Sequence, residues 1–319
     1  MNNDKKKFDI SIIIASVIFV ISISFFVVRA VDHQKAEILN NNLAEKHNAI
    51  IGTTIITSKE EDEPTGGTEQ IIIPTEINMT ADTFNKIEES TSDVLREELR
   101  RSNEMNLFYK ENNDTAGWIK VDGTKVDNIV MQTTDNDFYL HHNFYKEESQ
   151  PGTVFVDYRC NVNTYNDLQS DNIILYGHKQ RDNTMFGSLH YYKGDLDFYK
   201  EHPTIEFSNL YETYTYKIIA MFVAETNKST TKEEIFDYQN YINFNDEYSF
   251  GKFMAGIKKR TQINTSVNVK STDKFLTLST CSYEVKDARF VIVARRVRDG
   301  ESTDVDVTKA TFNKSVQYK

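Results

Sequence analysis

The chain is poor in the residues that interrupt or staple a fold. Its 319 residues include 4 Pro, 12 Gly, 2 Cys and 1 Trp. So little Gly and Pro, beside 17 Tyr and 20 Phe, suits a β-rich domain with an apolar core and excludes a chain disordered throughout. Positive charge is in deficit. Lys+Arg number 37 against 48 Asp+Glu, a net charge of -11, and no basic stripe stands out. Such a chain repels phosphate backbones, which argues against nucleic acid as a partner. Metal-ligand spacing is also lacking: His141 and His142 are adjacent, and neighbours on a strand point to opposite faces. No internal repeat is present. The length exceeds the needs of one compact domain, so part of the chain is expected to lie outside the core.

With only Cys160 and Cys281 available, one disulfide is the most the chain can form, and the count alone leaves a bridge and a free thiol equally open.

What is present begins near the N-terminus. Lys5, Lys6 and Lys7 precede an uncharged run from Ile10 to Val28, closed by Arg29. Nineteen helical residues at 1.5 Å each span about 28 Å, close to the ~30 Å hydrocarbon core of a bilayer. The run has no polar face and no small-x-small cleavage site, so residues 10–30 read as an uncleaved signal anchor. The lysines favour a cytoplasmic segment 1–9, which leaves the remainder outside the cell membrane. Residues 31–80 read as a stalk: a polar, helix-compatible stretch from Asp32 to Ala49, then an acidic run, Lys59 to Glu63, before Pro64-Thr65-Gly66-Gly67, which cannot bury apolar surface.

From residue 81 the texture changes. Phe84, Ile87, Thr91, Val94, Leu95 and Leu99 recur at helical spacing after a cap at Asp82 or Thr83, and Met105, Leu107, Phe108 and Tyr109 suggest a second helical piece. Short β runs follow from Trp118, several separated by turns such as Asp122-Gly123 and Gln150-Pro151-Gly152. A helical insert over Asp246–Thr261 precedes two strong strands, 274–280 and 289–297. The pattern predicts a mostly β fold closing into a barrel with helical decorations.

The chemistry concentrates in the last two strands. In Phe275-Leu276-Thr277-Leu278-Ser279-Thr280-Cys281, alternation sends the leucines to the core and places Ser279 and Cys281 on the opposite face. The short connection to Arg289 implies antiparallel neighbours with Cys281 and Arg289 at one sheet edge. A guanidinium there favours thiolate and can stabilise an oxyanion. Of the seven histidines, His178 alone follows a buried-looking strand and a glycine, a position suited to proton transfer.

Leu175-Tyr176-Gly177-His178 with Met185-Phe186, Thr277-Leu278-Ser279-Thr280-Cys281, and Arg289-Phe290-Val291-Ile292-Val293 resemble the sortase family, most closely its class B branch. The resemblance covers residues 81–299 and leaves the stalk and a tail, 300–319, unaccounted for. It implies a closed barrel of about eight strands, with N-terminal helices and the insert that marks class B. It implies Cys281 as nucleophile, His178 as acid/base and Arg289 as oxyanion stabiliser, with no cofactor and no metal. Asn136, Leu140, Ser279, Tyr241 and Ile242 match positions that line the substrate groove. The implied reaction cleaves a C-terminal sorting motif of secreted proteins after Thr, through a thioacyl-enzyme. The acyl group then passes to a peptidoglycan cross-bridge amine or a pilin lysine. Two alternatives stay open on the sequence: an extracellular cysteine peptidase, and a non-catalytic surface β-domain clamped by a Cys160–Cys281 disulfide.

Overall fold

The computed structural model describes residues 2–60, 101–163, 169–225, 235–282 and 288–316; side chains at 2–17, 20, 52–60, 103, 281 and 282 are not among those described. The predicted helix over 82–99 therefore lies outside the described residues.

Eight strands close a barrel in the order β1-β2-β3-β4-β8-β9-β6-β5. They are β1 (Thr115–Val121), β2 (Val126–Met131), β3 (Val154–Val156), β4 (Asn172–Gly177), β5 (Thr204–Ser208), β6 (Thr213–Glu225), β8 (Phe275–Ser282) and β9 (Ala288–Arg296), while the short β7 (Ile263–Asn264) lies outside the barrel. The expected barrel is present. The pairing that positions the site is β4 alongside β8, parallel, from Asn172↔Phe275 to Gly177↔Thr280. β9 lies antiparallel on the other side of β8, with Cys281 opposite Arg289.

Alternation separates the two faces as predicted. Leu276, Leu278, Phe290, Ile292 and Ala294 fill the barrel interior. Each fully buried Leu or Ile contributes about 1.5–3 kcal/mol relative to exposure. Phe275, Val291 and Val293 face outward beneath a helix that carries Phe253 and Ile257. That helix is the predicted insert, Glu247–Arg260, capped by Asp246, whose carboxylate accepts from Ser249 N at 2.7 Å.

The N-terminal helix α1 runs from Asn2 to Glu60, and α2 from Asn103 to Glu111. The apolar run lies on α1. From Ile18 to Val31 its described large apolar side chains are exposed, and among the described residues no helix is long and apolar enough to cross a membrane. Beyond Val31 the structure departs from a free stalk. Leu43 is buried among Met105, Phe108, Trp118, Tyr139 and Phe144, with Leu39, Ala44 and Ile50 packed around it. The His47 ring stacks on Trp118 at 3.9 Å, and its Nε2 meets the Glu104 carboxylate. Residues 32–50 are thus part of the domain. Leu39, Leu43, His47 and Ile50 form one stripe at helical spacing, and it covers apolar barrel surface that water would otherwise meet.

The tail also folds back. Arg295 on β9 is 1% exposed, and Glu301 supplies its carboxylate, receiving Nη2 at 2.7 Å and Lys217 Nζ at 2.9 Å. Those bonds hold Glu301 far below the usual carboxylate range, Arg295 foremost. Further on, Thr311–Phe312 pairs with Ile263–Asn264 as a two-stranded sheet. Residues 300–316 belong to the domain because a buried arginine on the last barrel strand requires a counter-charge.

Candidate active site

β4 ends at Gly177, whose parallel partner is Thr280, so the next residue on each chain, His178 and Cys281, falls at the same barrel edge. The antiparallel register adds Arg289 directly across from Cys281. Three elements therefore deliver the three predicted residues to one place. Gly177 makes this possible locally: a Cβ there would sit 2.8 Å from the Phe186 ring, which packs under the strand end. Phe186 N in turn donates to His178 O at 3.1 Å.

His178 is half-buried, with Nε2 2.9 Å from the Leu140 carbonyl. A carbonyl only accepts, so Nε2 carries the hydrogen and Nδ1 is the nitrogen left for proton transfer. Burial pushes the imidazole below its ordinary value. The Leu140 carbonyl opposes that shift, and the charges of His141 and Arg289 add to it.

The Leu140 carbonyl is itself fixed by its surroundings. Asp135 Oδ1 accepts from Asp137 N and Phe138 N, both at 2.8 Å, folding the short turn Phe138–Leu140. Buried Tyr139 pins that turn through its hydroxyl, which donates to Asp114 at 3.0 Å and accepts from Asn112 Nδ2 at 2.8 Å. Gly152, at φ +61, closes against it; a Cβ there would lie 2.6 Å from the Leu140 oxygen. No other residue type allows so close a backbone approach.

Of the predicted groove residues, three gather here. Leu140 contributes its carbonyl as described. Asn136 accepts from Tyr158 N at 3.0 Å on the neighbouring loop. Ser279 is buried, and its hydroxyl shares a 2.6 Å hydrogen bond with Tyr238 OH. Tyr241 and Ile242 do not join them. Asn172 N donates to Ile242 O and Asn172 Nδ2 to Tyr241 O, each at 2.8 Å, which ties the pair to the opposite end of β4. Five strand residues separate that end from Gly177, about 16 Å. Ile242 is a core side chain and Tyr241 packs on Phe236 and Phe253. Their match to groove positions came from the family resemblance; two backbone carbonyls committed to Asn172 tie them to this end of β4.

Cys160 is a free, buried thiol donating weakly to Asn172 O at 3.6 Å. Burial pushes it up to about 12. It too sits at the Asn172 end, while Cys281 lies six strand residues past Phe275, about 20 Å away. Disulfide partners need Cα atoms within ~7 Å, so the bridge between them is not formed.

A polar network that the sequence reading missed supports the site. Asp157, fully buried, follows β3 and receives Arg159 Nε and Nη2 at 2.9 and 2.8 Å and Tyr176 OH at 2.9 Å. Burial pushes Asp157 up, but these bonds outweigh it and hold the carboxyl below its usual range. Tyr238, pushed up to about 12 by burial, caps Ser279 from the far side. The Asp-x-Arg spacing at 157–159 was the available signal. Tyr238 lay in a stretch without periodicity and offered none.

A description of the sortase domain matches residues 119–297. That is more than half of the chain, and the chain belongs to the sortase family. It is 36% identical over 193 residues to sortase B of Staphylococcus aureus, covering 59% of this chain and 72% of that one. With sortase B of Listeria monocytogenes it shares 32% over 196 residues, 61% and 74% of the two chains. The solved S. aureus sortase B–substrate complex superposes with a TM-score of 0.54 at 30% identity, covering 67% of this chain and 98% of that one. The protein is a cysteine transpeptidase of the class B type, a family that joins sorting-signal substrates to amine acceptors.

Proposed function

We propose that Cys281 is the nucleophile of this transpeptidase, His178 its acid/base and Arg289 its oxyanion stabiliser. The observation that carries the reading is the strand register, in which Cys281 faces Arg289 on β9 while β4 ends beside it at His178. The Cys281 thiol passes its proton to His178 Nδ1, and the thiolate attacks the carbonyl carbon of the bond after Thr in a sorting motif. Arg289 donates to the developing oxyanion. The C–N bond breaks, and the leaving amine takes a proton from His178 Nδ1. An acceptor amine then attacks the thioester and gives a proton back to His178. The C–S bond breaks and the thiolate returns.

The acceptor is a peptidoglycan cross-bridge amine or a pilin lysine. Asn136 and Leu140 line the approach to the thiol, with Ser279 beneath it. The apolar run 10–28 anchors the enzyme in the cell membrane with the barrel outside. Ser22 favours this reading: its hydroxyl donates back to Ile18 O at 2.8 Å, so that donor would meet lipid already satisfied.

The test is mass spectrometry of the full chain incubated with a sorting-motif peptide. A thioester adduct mapping to Cys281, absent in Cys281→Ala and intact in Cys160→Ala, is the expected result. An adduct on Cys160, or turnover by Cys281→Ala, would overturn the assignment.

A further inference from the structure

We infer that the catalytic edge of the barrel faces the bilayer, held there by α1, and that the enzyme works on peptide lying at the membrane surface. This rests on the anchor reading above and adds an orientation to it. α1 is continuous: it passes from the exposed apolar run into the docked stripe without a break in the helix. A domain on a flexible stalk samples all orientations; one packed on a continuous helix takes the orientation of that helix.

The direction follows from what each turn of α1 touches. Asp32 lies four residues past Val28, a rise of about 6 Å. Its Oδ2 accepts from Gln150 N at 2.8 Å. His33 Nε2 lies 3.3 Å from Asp182 Oδ1, and Asn40 Nδ2 donates to Met185 Sδ at 3.9 Å. Gln150 leads into Gly152, which backs the Leu140 carbonyl that holds His178; Asp182 and Met185 belong to the segment that follows His178. Both segments that position His178 are therefore gripped by the first turns of α1 beyond the apolar run.

The other end of the docked stripe touches the opposite side. His47 meets Trp118 and Glu104, and Lys46 meets Glu111, at α2. From Asp32 to His47 the helix rises about 22 Å. Membrane helices tilt by up to ~40°, which shortens that offset by about a quarter and leaves its sign unchanged. The His178 edge is the near side and α2 the far side.

The test uses the full chain in phosphatidylglycerol–phosphatidylcholine vesicles carrying an energy acceptor on the lipid headgroup. A donor fluorophore is placed at Gln150→Cys or at Leu107→Cys, in a Cys281→Ser background so that only the new thiol is exposed. Gln150 binds Asp32 through its backbone, so the substitution leaves that contact in place, and Leu107 is an exposed residue of α2. The expected result is strong transfer from position 150 and weak transfer from 107, the two differing by about 20 Å, the helix offset. A flexible Gly-Ser insertion between Val31 and Asp32 keeps the docked stripe but should make the two positions alike. Equal or reversed transfer in the uninserted chain, or a difference that survives the insertion, overturns the orientation while the anchor stands. Failure of the chain to sediment with vesicles overturns the anchor reading and the orientation together.

Discussion

At its first residue β4 is stitched shut, whereas just beyond its last the His178 imidazole hangs on the Leu140 carbonyl. Asn172 is fully buried and spends every polar atom: N to Ile242 O, Nδ2 to Tyr241 O, Oδ1 from Thr277 Oγ1, O from the Cys160 thiol. Lys274 adds bonds to Gln169 O and Asp171 at 2.9 and 2.8 Å. At the other end His178 is half-buried, its Nε2 held on the Leu140 carbonyl. The same strand pair thus closes the barrel at one end and presents chemistry at the other. Saturated hydrogen bonding fixes shape; a group that must give and take a proton has to keep one atom uncommitted.

Substitutions at the two ends should therefore separate rate from stability. The largest effect is expected from His178→Ala, with acylation falling by about 10²–10⁴ and the melting temperature nearly unchanged, read by single-turnover mass spectrometry and calorimetry. Parent-like acylation would remove His178 from the mechanism. Arg289→Ala should cost about 10²–10³ in the same assay, with Arg289→Lys recovering part of it by charge without the planar fork of donors. If both variants acylate within a few-fold of the parent, Arg289 is a structural residue.

The closed end should behave in the opposite sense. Asn172→Ala leaves the Thr277 hydroxyl and the Tyr241 carbonyl without their partner, a loss of about 2–4 kcal/mol in unfolding free energy. Acylation per folded molecule should stay close to the parent, and a large rate defect would mean that the two ends are coupled. Gly152→Ala tests how far the reactive end depends on one carbonyl. Its Cβ meets Leu140 O and its backbone is strained at φ +61, so about 1–3 kcal/mol of stability and roughly tenfold in rate should be lost.

The smallest effect is a displacement in pH. Burial lowers the His178 pKa, so the imidazole stays neutral until the pH falls below the ordinary histidine value of about 6.5. The acid limb of the acylation profile should lie below that value. The unfolded state binds the proton more readily, so this residue also makes stability decline as pH falls through the same window. Losing the Leu140 hydrogen bond removes the one contribution that raises the pKa, so Gly152→Ala should move the acid limb lower still. A limb at or above 6.5 in the parent would contradict the burial.

The convergence of His178, Cys281 and Arg289 was legible because each sits at a strand end whose alternation can be counted from one residue to the next. Leu276 and Leu278 fixed the alternation along β8, and the short connection to Arg289 set the partner strand. The insert helix was legible from Phe253 and Ile257 and from the Asp246 cap. What could not be read were contacts between distant segments. Leu39, Leu43 and His47 are diluted among polar residues, and their docking depends on Trp118 and Phe108, far along the chain. Glu301 looked like a tail residue because nothing in the sequence marks Arg295 as buried. The placing of Tyr241 and Ile242 was hidden for the same reason, since only their bonds to Asn172 reveal which end of β4 they join.

That parallel pairing has a consequence for the order in which the enzyme comes into being. His178 and Cys281 are about a hundred residues apart, and no local hairpin can bring them together; parallel neighbours meet only after a long loop has closed, a slow step in folding. Until then the cysteine has no imidazole beside it, only the Arg289 that its own hairpin supplies, and nothing stands ready to take its proton. Reactivity is the last property the chain acquires. On the proposed mechanism, a nascent or misfolded copy carries Cys281 without the His178 that would serve it, and only the closed barrel joins the two.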